Sequence, residues 1–348
     1  MSQVTERSES LLGPSGGRGS RALGLARSGL GVFVRQREAT VFVVMVGLLL
    51  YFGIAYNAGF VSQVNAVDLL SENAAPIAII AIGEVMLLIC GEIDLSVGFI
   101  YTLAPFVMLY LNIYYSVPAP LAIICGLLTG LIAGWVNGFI TVTLRVPSFI
   151  TTIGTGFIMG SLALVFSHAE PQTIPPDTVS YGKWIGADSW AQIIWAVALV
   201  VIFHIILTRT RWGLHTIAVG GNALGAREAG INSGMIKYGN FMITGVMGAL
   251  VGIQVAFYNN TIDPLAGGYQ PMFYAVIAAV IGGTAMLGGS GTIMGAFFGA
   301  IVLATLTDGF DVAGISANPL GIIFGIAIIV AMVVNVQLAR LREAGRSV

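Results

Sequence analysis

Long apolar runs separated by short polar breaks fill the chain from Thr40 onward. A membrane-crossing helix needs about 20 mostly apolar residues, with a range of about 17–25. Ten runs qualify: 40–57, 74–91, 95–113, 119–142, 149–167, 190–208, 238–258, 271–288, 292–310 and 318–338. The breaks after the second and eighth runs are so short that each must be a tight hairpin. The pattern predicts an all-α polytopic membrane protein of about ten transmembrane helices. Residues 1–39 form an expected disordered basic tail, 40–338 the transmembrane domain, and 339–348 a second tail.

Composition strengthens this picture. The 348 residues are 57% hydrophobic and only 9% charged, with a mean hydropathy of +0.91. Soluble domains carry about 25% charged residues, so this chain cannot cover a water-facing surface. Arg7, Arg18, Arg21, Arg27, Arg35 and Arg37 stand in the Gly/Ser-rich tail ahead of the first run. A signal peptide would begin its apolar stretch sooner and end in a small-residue cleavage site. The first run is therefore expected to be retained as a span.

Charge then orients the spans, because short cytoplasmic loops are enriched in lysine and arginine. With an even number of spans and both termini inside, the tails, Arg145 and the long loop 209–237 all fall on the cytoplasmic face. Of the 15 lysines and arginines only Lys183 falls outside. The outer loops instead carry Asp68, Glu72, Glu170, Asp177, Asp188 and Asp263.

Glycine is patterned as well as abundant. Gly126, Gly130, Gly134 and Gly138 recur every fourth residue, and Gly156/Gly160, Gly248/Gly252, Gly295/Gly299 and Gly321/Gly325 repeat the spacing. Small residues at this interval let helix backbones approach closely in a membrane, either within one subunit or across a dimer face. A faint internal echo accompanies them. GEIDLSVG (91–98) and GGSGTIMG (288–295) both join two spans, and an offset of 197 matches Gly91 to Gly288 and Gly98 to Gly295. Two corresponding interrupted segments are the mark of transporter halves related by repetition.

The candidate chemistry is sparse. Glu92 and Asp94 lie in the first hairpin, GEIDLS. Asp94 is placed to cap the third span by accepting from the Ser96 or Val97 amide, and the helix dipole favours its charge; a direct part in transport is the alternative. Glu92 is expected at the water interface. Glu84 sits mid-span, where an ionisable group usually faces a partner or a polar path. Asn137, Asp308 and Asp311 raise the same question. Cys90 and Cys125 both fall in apolar runs and are read as buried packing groups. GGSGTIMG lacks the Lys-Ser/Thr of a phosphate-binding loop, there is no HExxH, and His168, His204 and His215 are scattered. No catalytic residue, metal or cofactor is expected.

These motifs carry a family resemblance. GEIDLSVG resembles the G-x-x-D-L-S-V-G signature of ribose/xylose-type sugar ABC transporter permeases, of the branched-chain amino acid/monosaccharide permease superfamily. TRTRWGLHTIAVGGNALGAREAGIN (208–232), VPSFITT (146–152) and AVIAAVIGGTAMLGGSGTIMGAFFGA (275–300) are similar to that family's central loop, fifth-span opening and second hairpin. The chain departs from the pattern at Glu92, at Gly83-Glu84, and at Ala226-Arg227-Glu228-Ala229-Gly230-Ile231. The resemblance implies the membrane subunit of an importer for a monosaccharide such as xylose or ribose, embedded in the cytoplasmic membrane. ATP would be bound by a separate ATP-binding cassette subunit on the cytoplasmic side. A periplasmic or extracellular sugar-binding protein and a second permease subunit would complete the system, with no nucleic acid.

On that reading Gly220, Gly221, Asn222, Ala226, Arg227, Gly230 and Ile231 couple the chain to its ATPase. Gly91, Asp94, Ser96, Gly98, Gly288, Gly289 and Gly291 build the hairpins. Glu84, Asn137, Ser148 and Thr151 are candidates for the translocation path. Within the central loop, Asn222 is placed to cap a short helix over 223–229 that Gly230 ends in a left-handed turn. The competing readings are a nucleoside or branched-chain amino-acid ABC permease, and an ion- or proton-coupled secondary transporter with Glu84 as its proton site.

Overall fold

A computed structural model describes residues 37–314, and of the later ones only 321–323, 325–326, 329–330 and 333. Eight helices among the described residues are long and apolar enough to cross a membrane. In chain order the helices are α1 (Arg37–Ala55), α2 (Gln63–Ile89), α3 (Val97–Tyr115), α4 (Ala119–Thr143), α5 (Ser148–Ser167), α6 (Pro176–Gly182), α7 (Ser189–Arg209), α8 (Arg211–Gly221), α9 (Ala223–Glu228), α10 (Ser233–Tyr258), α11 (Tyr269–Ile281) and α12 (Ile293–Val312). A single helical turn, Asn57–Phe60, joins α1 to α2. Both α2 and α4 contain a stretch of π-helix, at Leu69–Ala74 and Phe139–Thr143. The strands β1 (Gln172–Thr173) and β2 (Thr261–Ile262) pair antiparallel.

Contacts between distant segments sort these elements to two ends. At one end, Gly289 N–H donates to the Ile89 carbonyl, Lys237 pairs with Glu92, and Thr292 donates to Glu38. The end of α2 and the starts of α1, α10 and α12 therefore meet there, together with the α8–α9 loop. At the other, the strand pair joins the α5–α6 connection to the end of α10, Asn65 donates to Asp308, and Tyr258 donates to Glu72. Arg145, Arg209, Arg211, Arg227 and Lys237 all lie at the loop end. Lys183 lies at the strand end with Asp68, Glu72, Glu170, Asp188 and Asp263. A cysteine at Glu170 should therefore react with an impermeant thiol reagent from outside intact cells. One at Ala223 should react only after permeabilisation, and outside labelling of Ala223 would reverse the orientation.

The core follows from which helices are apolar all round. Every residue of α2 from Ala78 to Ile89 is buried, and α10 is buried along most of its length. By contrast α1, α5 and α7 present large apolar side chains outward, among them Ile54, Phe157, Ile158 and Ile194. The glycine stripe of α4 faces inward, onto α10. A Cβ added at Gly130 would lie 2.3 Å from the Gly245 carbonyl oxygen, and one at Gly134 would lie 2.2 Å from that of Phe241. Gly156 and Gly160 seat the Phe99 ring, Gly248 and Gly252 pack on α3, and Gly299 packs on Ala278. These stripes serve packing within the subunit. Gly321 and Gly325 meet no described atom within 4 Å.

Two expectations need correction. The run 271–288 is not a full span: α11 has 13 residues, or about 20 Å of helix, against about 30 Å of hydrocarbon. Its start is set by the chain folding back against α3, where Gly268 N–H donates to the Gly98 carbonyl at 3.0 Å. Its end is set by the glycine turn at Gly282-Gly283. Second, Cys125 is only partly buried, whereas Cys90 is buried. The run 318–338 and the tails 1–36 and 339–348 lie, apart from the few residues named above, outside the described residues.

Candidate functional site

The loop end carries a small, well-defined helical unit. Thr210 caps α8 by accepting from Gly213 N–H, and Asn222 caps α9 by accepting from Gly225 N–H at 2.9 Å. Gly230 stops α9 with a φ of +81°, where a side chain would strain the backbone. Ile231 N–H closes the end on the Ala226 carbonyl at 2.9 Å. The two faces of α9 differ. Ala226 is buried with Cys90, Val219 and Ile236, while Leu224, Arg227 and Glu228 are exposed. Gly220 ties this unit to both hairpins: a Cβ there would sit 1.6 Å from the Ile89 carbonyl oxygen and 2.7 Å from Gly289 N. No side chain fits.

The first hairpin is held by a buried polar network. The Asp94 carboxylate accepts from Ser96 N–H at 2.8 Å, from Ser96 Oγ at 2.6 Å and from Asn137 Nδ2 at 3.1 Å. Asn137 also donates to Ser96 Oγ and accepts from Thr155 Oγ1 at 2.6 Å. Asp94, Ser96 and Asn137 are all fully buried. Burial raises the pKa of Asp94 above the ordinary carboxylate value, and the bonds from Ser96 and Asn137 oppose that rise. This corrects the expected cap. The Ser96 amide is bonded as the sequence suggested, but α3 begins only at Val97, with Ser96 in the cap position. Asp94 instead fastens the hairpin to α4 and, through Asn137, to α5.

The remaining candidates surround this network. Ser148 Oγ accepts from Ile93 N–H at 3.4 Å, and the Thr151 carbonyl accepts from Thr155. Glu84 approaches from α2, fully buried, and its carboxylate faces Asp94. Glu92 pairs with Lys237 at the rim. Among the described residues no cluster of His, Cys, Asp or Glu could hold a metal ion.

Cavities lie elsewhere, lined mostly by residues that the sequence did not single out. An apolar one of about 370 Å³ opens between the hairpin, α5 and α11, lined by Ile93, Phe149, Met272 and Phe273 among others. A more polar one of about 300 Å³ is bordered by Glu72, Asn73, Tyr101, Gln270 and Tyr274. Glu84, Asn137, Ser148 and Thr151 line neither. The missed signal was the polar pair Gln270 and Tyr274, one turn apart on an otherwise apolar helix and bonded at 3.0 Å.

Comparison with known proteins gives a consistent result. Residues 67–333 match the family model described as branched-chain amino acid transport system / permease component. The xylose/arabinose import permease of Sulfolobus acidocaldarius is 36% identical over 311 residues, covering 87% of this chain and 85% of that protein. The ribose import permease of Bacillus subtilis is 31% identical, covering 80% and 87%. The fructose import permease of Rhizobium meliloti is 28% identical, covering 87% and 86%.

Proposed function

The chain belongs to the branched-chain amino acid transport system / permease component family, and from that membership we propose that it is the membrane-spanning permease subunit of an ABC importer for a monosaccharide. The observation that carries this reading is its likeness, over most of its length, to permeases named for the import of xylose or arabinose, ribose and fructose. It is a multi-pass protein of the cytoplasmic membrane. Permease subunits of this kind are not themselves enzymes; the energy comes from an ATPase subunit, and substrate arrives on a binding protein.

The loop end supports this division of labour. An ATPase at the cytoplasmic face must grip an element that is firm enough to transmit force. A six-residue helix such as α9 is not stable alone in water, but here it is capped at both ends and rests on Ala226. Its outward side offers Leu224 as an apolar contact and Arg227 as a fork of donors for a carboxylate or carbonyl-lined groove. Gly220, pressed on Ile89 and Gly289, passes any displacement of α9 to both hairpins. Gly221, Gly230 and Ile231 give the unit its fixed ends. A second permease subunit, identical or related, completes the path.

Reconstitution tests the proposal. The chain is placed in proteoliposomes with its ATPase and binding protein and offered labelled D-xylose, L-arabinose, D-ribose and D-fructose. Uptake of at least one should require ATP and both partners and should survive collapse of ion gradients. Arg227→Glu should insert normally yet lose about 5- to 150-fold in ATP-driven uptake, the span of a coupling free energy of about 1–3 kcal/mol. Glu84→Gln should retain ATP-driven uptake. Uptake that follows a proton gradient without ATP, and disappears in Glu84→Gln, would establish a secondary transporter instead.

A further inference from the structure

Beneath the α8–α9 unit lies a second buried polar cluster, unconnected by any hydrogen bond named above to the Asp94 network. Its centre is Asn240 of α10, which is fully buried. The Asn240 Oδ1 atom accepts from Trp212 Nε1 at 2.9 Å. Its Nδ2 donates to the Met86 carbonyl at 3.1 Å and lies 3.0 Å from Cys90 Sγ and 3.3 Å from Thr216 Oγ1. An indole N–H can only donate, so Trp212 fixes which way the amide faces: oxygen toward α8, nitrogen toward α2. The Met86 carbonyl belongs to the last turn of α2, where a helix has run out of its own amide partners. Asn240 supplies one from another helix.

The cluster has little slack. The Trp212 ring packs on α10 at Gly239, where an added Cβ would lie 2.2 Å from Cζ2. Thr216 Oγ1 donates back to the Trp212 carbonyl at 2.9 Å. The side-chain amide thus holds α8 with one edge and the end of α2 with the other. Four residues beyond Met86 the chain enters the hairpin that carries Asp94.

Resting on the importer reading above, we infer that Asn240, oriented by Trp212, is a positioning residue that transmits movement of α8–α9 to α2 and the first hairpin. Two conservative variants separate its edges. Trp212→Phe keeps a ring against Gly239 but removes the N–H that orients the amide. Asn240→Asp keeps an acceptor for Trp212 but, read at a pH high enough to ionise it, turns an acceptor toward the Met86 carbonyl, breaking the hold on α2. Neither residue lies on α9, so ATPase association should be unchanged.

Contiguity alone does not establish coupling, so the readout must follow movement at both sites. Hydrogen exchange is measured on the complete complex in nanodiscs, with and without ATP and vanadate. In the wild type, exchange should change both in 211–228 and in 86–93. In either variant the change in 211–228 should persist, while that in 86–93 should shrink about fivefold or more, as expected for loss of a typical coupling. If both variants transmit the change as the wild type does, Asn240 has no such role. Loss of the change in both segments would mean that the cluster merely supports folding, and would equally overturn the inference. A wild-type complex that shows no ATP-dependent change anywhere, and no ATP-driven uptake, would remove the importer reading itself. Should Asn240→Asp fail to assemble, Trp212→Phe decides the matter alone.

Discussion

Gly130→Val is expected to remove the folded protein from the membrane, because α4 and α10 cross with their backbones in contact. A Cβ at Gly130 would lie 2.3 Å from the Gly245 carbonyl oxygen and 2.6 Å from the Ala249 methyl. The approach is reciprocal: a Cβ at Gly245 would lie 2.1 Å from the Gly130 carbonyl oxygen. Backbone on both sides cannot move aside as a flexible side chain would, so the helices must separate along the whole crossing. Gly126, Gly134 and Gly138 share that crossing, and each would lose its fit. The cost should exceed about 4 kcal/mol, a size that single substitutions reach only through mechanisms such as core overpacking. Gly47→Ala is the control, since no described atom lies within 4 Å of its added Cβ. It should be neutral or gain up to about 1 kcal/mol from helix propensity. Yield and melting temperature in detergent report both, and a Gly130→Val protein that melts within a few degrees of wild type would show that the crossing is looser than described.

What the sequence made legible and what it did not divide along a physical line. Features set by neighbours within a few residues could be read: the Asn222 cap, the Gly230 stop and the glycine interval of α4 are local, and hydropathy marks spans because lipid imposes one rule on every segment. Even the inward direction of the glycine stripe needed a partner helix, but its closeness did not. The early end of α11 lies in the local Gly282-Gly283 turn, where Gly283 takes a φ of +94°, and the apolar residues beyond it carry the expected run on to 288. What could not be read is that its start meets Gly98, 170 residues away in sequence. The same holds for side-chain partners. Asp94 finds Asn137 at a separation of 43 residues, and Asn240 finds Met86 at 154. No periodicity announces such pairs. Asn240 stands in a polar stretch, KYGN, that hydropathy reads as the edge of a span, so its burial drew no notice. Glu84, conspicuous as a charge in an apolar run, lines neither of the two cavities described above.

The Asp94–Asn137 pair gives the sharpest test of the site, because exchanging the two residues should recover what changing one loses. Asp94→Asn looks conservative, and for a helix cap it would be. In the network it is not. The new amide can still accept from Ser96 through its oxygen, but its nitrogen then faces the Asn137 nitrogen, which donates to Asp94 at 3.1 Å in the native pair. Asn137 is discouraged from turning over, since its oxygen accepts from Thr155 Oγ1 at 2.6 Å. Two buried donors are left facing each other, and each unsatisfied buried group costs about 1–3 kcal/mol. The single variant should therefore melt well below wild type and lose uptake in proportion to folded protein. Adding Asn137→Asp restores a donor–acceptor pair in the reverse sense: the amide now on the hairpin donates to the carboxylate now on α4. That carboxylate still accepts from Thr155, and the Ser96 hydroxyl, which loses the donor it had in Asn137, turns to donate to it. The double variant should regain at least about half of the lost stability, a coupling of the size that residues in one hydrogen-bond network show. If the double variant were no more stable than the sum of its singles, the two side chains would not be partners. If Asp94→Asn folded normally but failed to transport, the carboxylate would be needed for its charge, and the hairpin would belong to the transport path rather than to its frame.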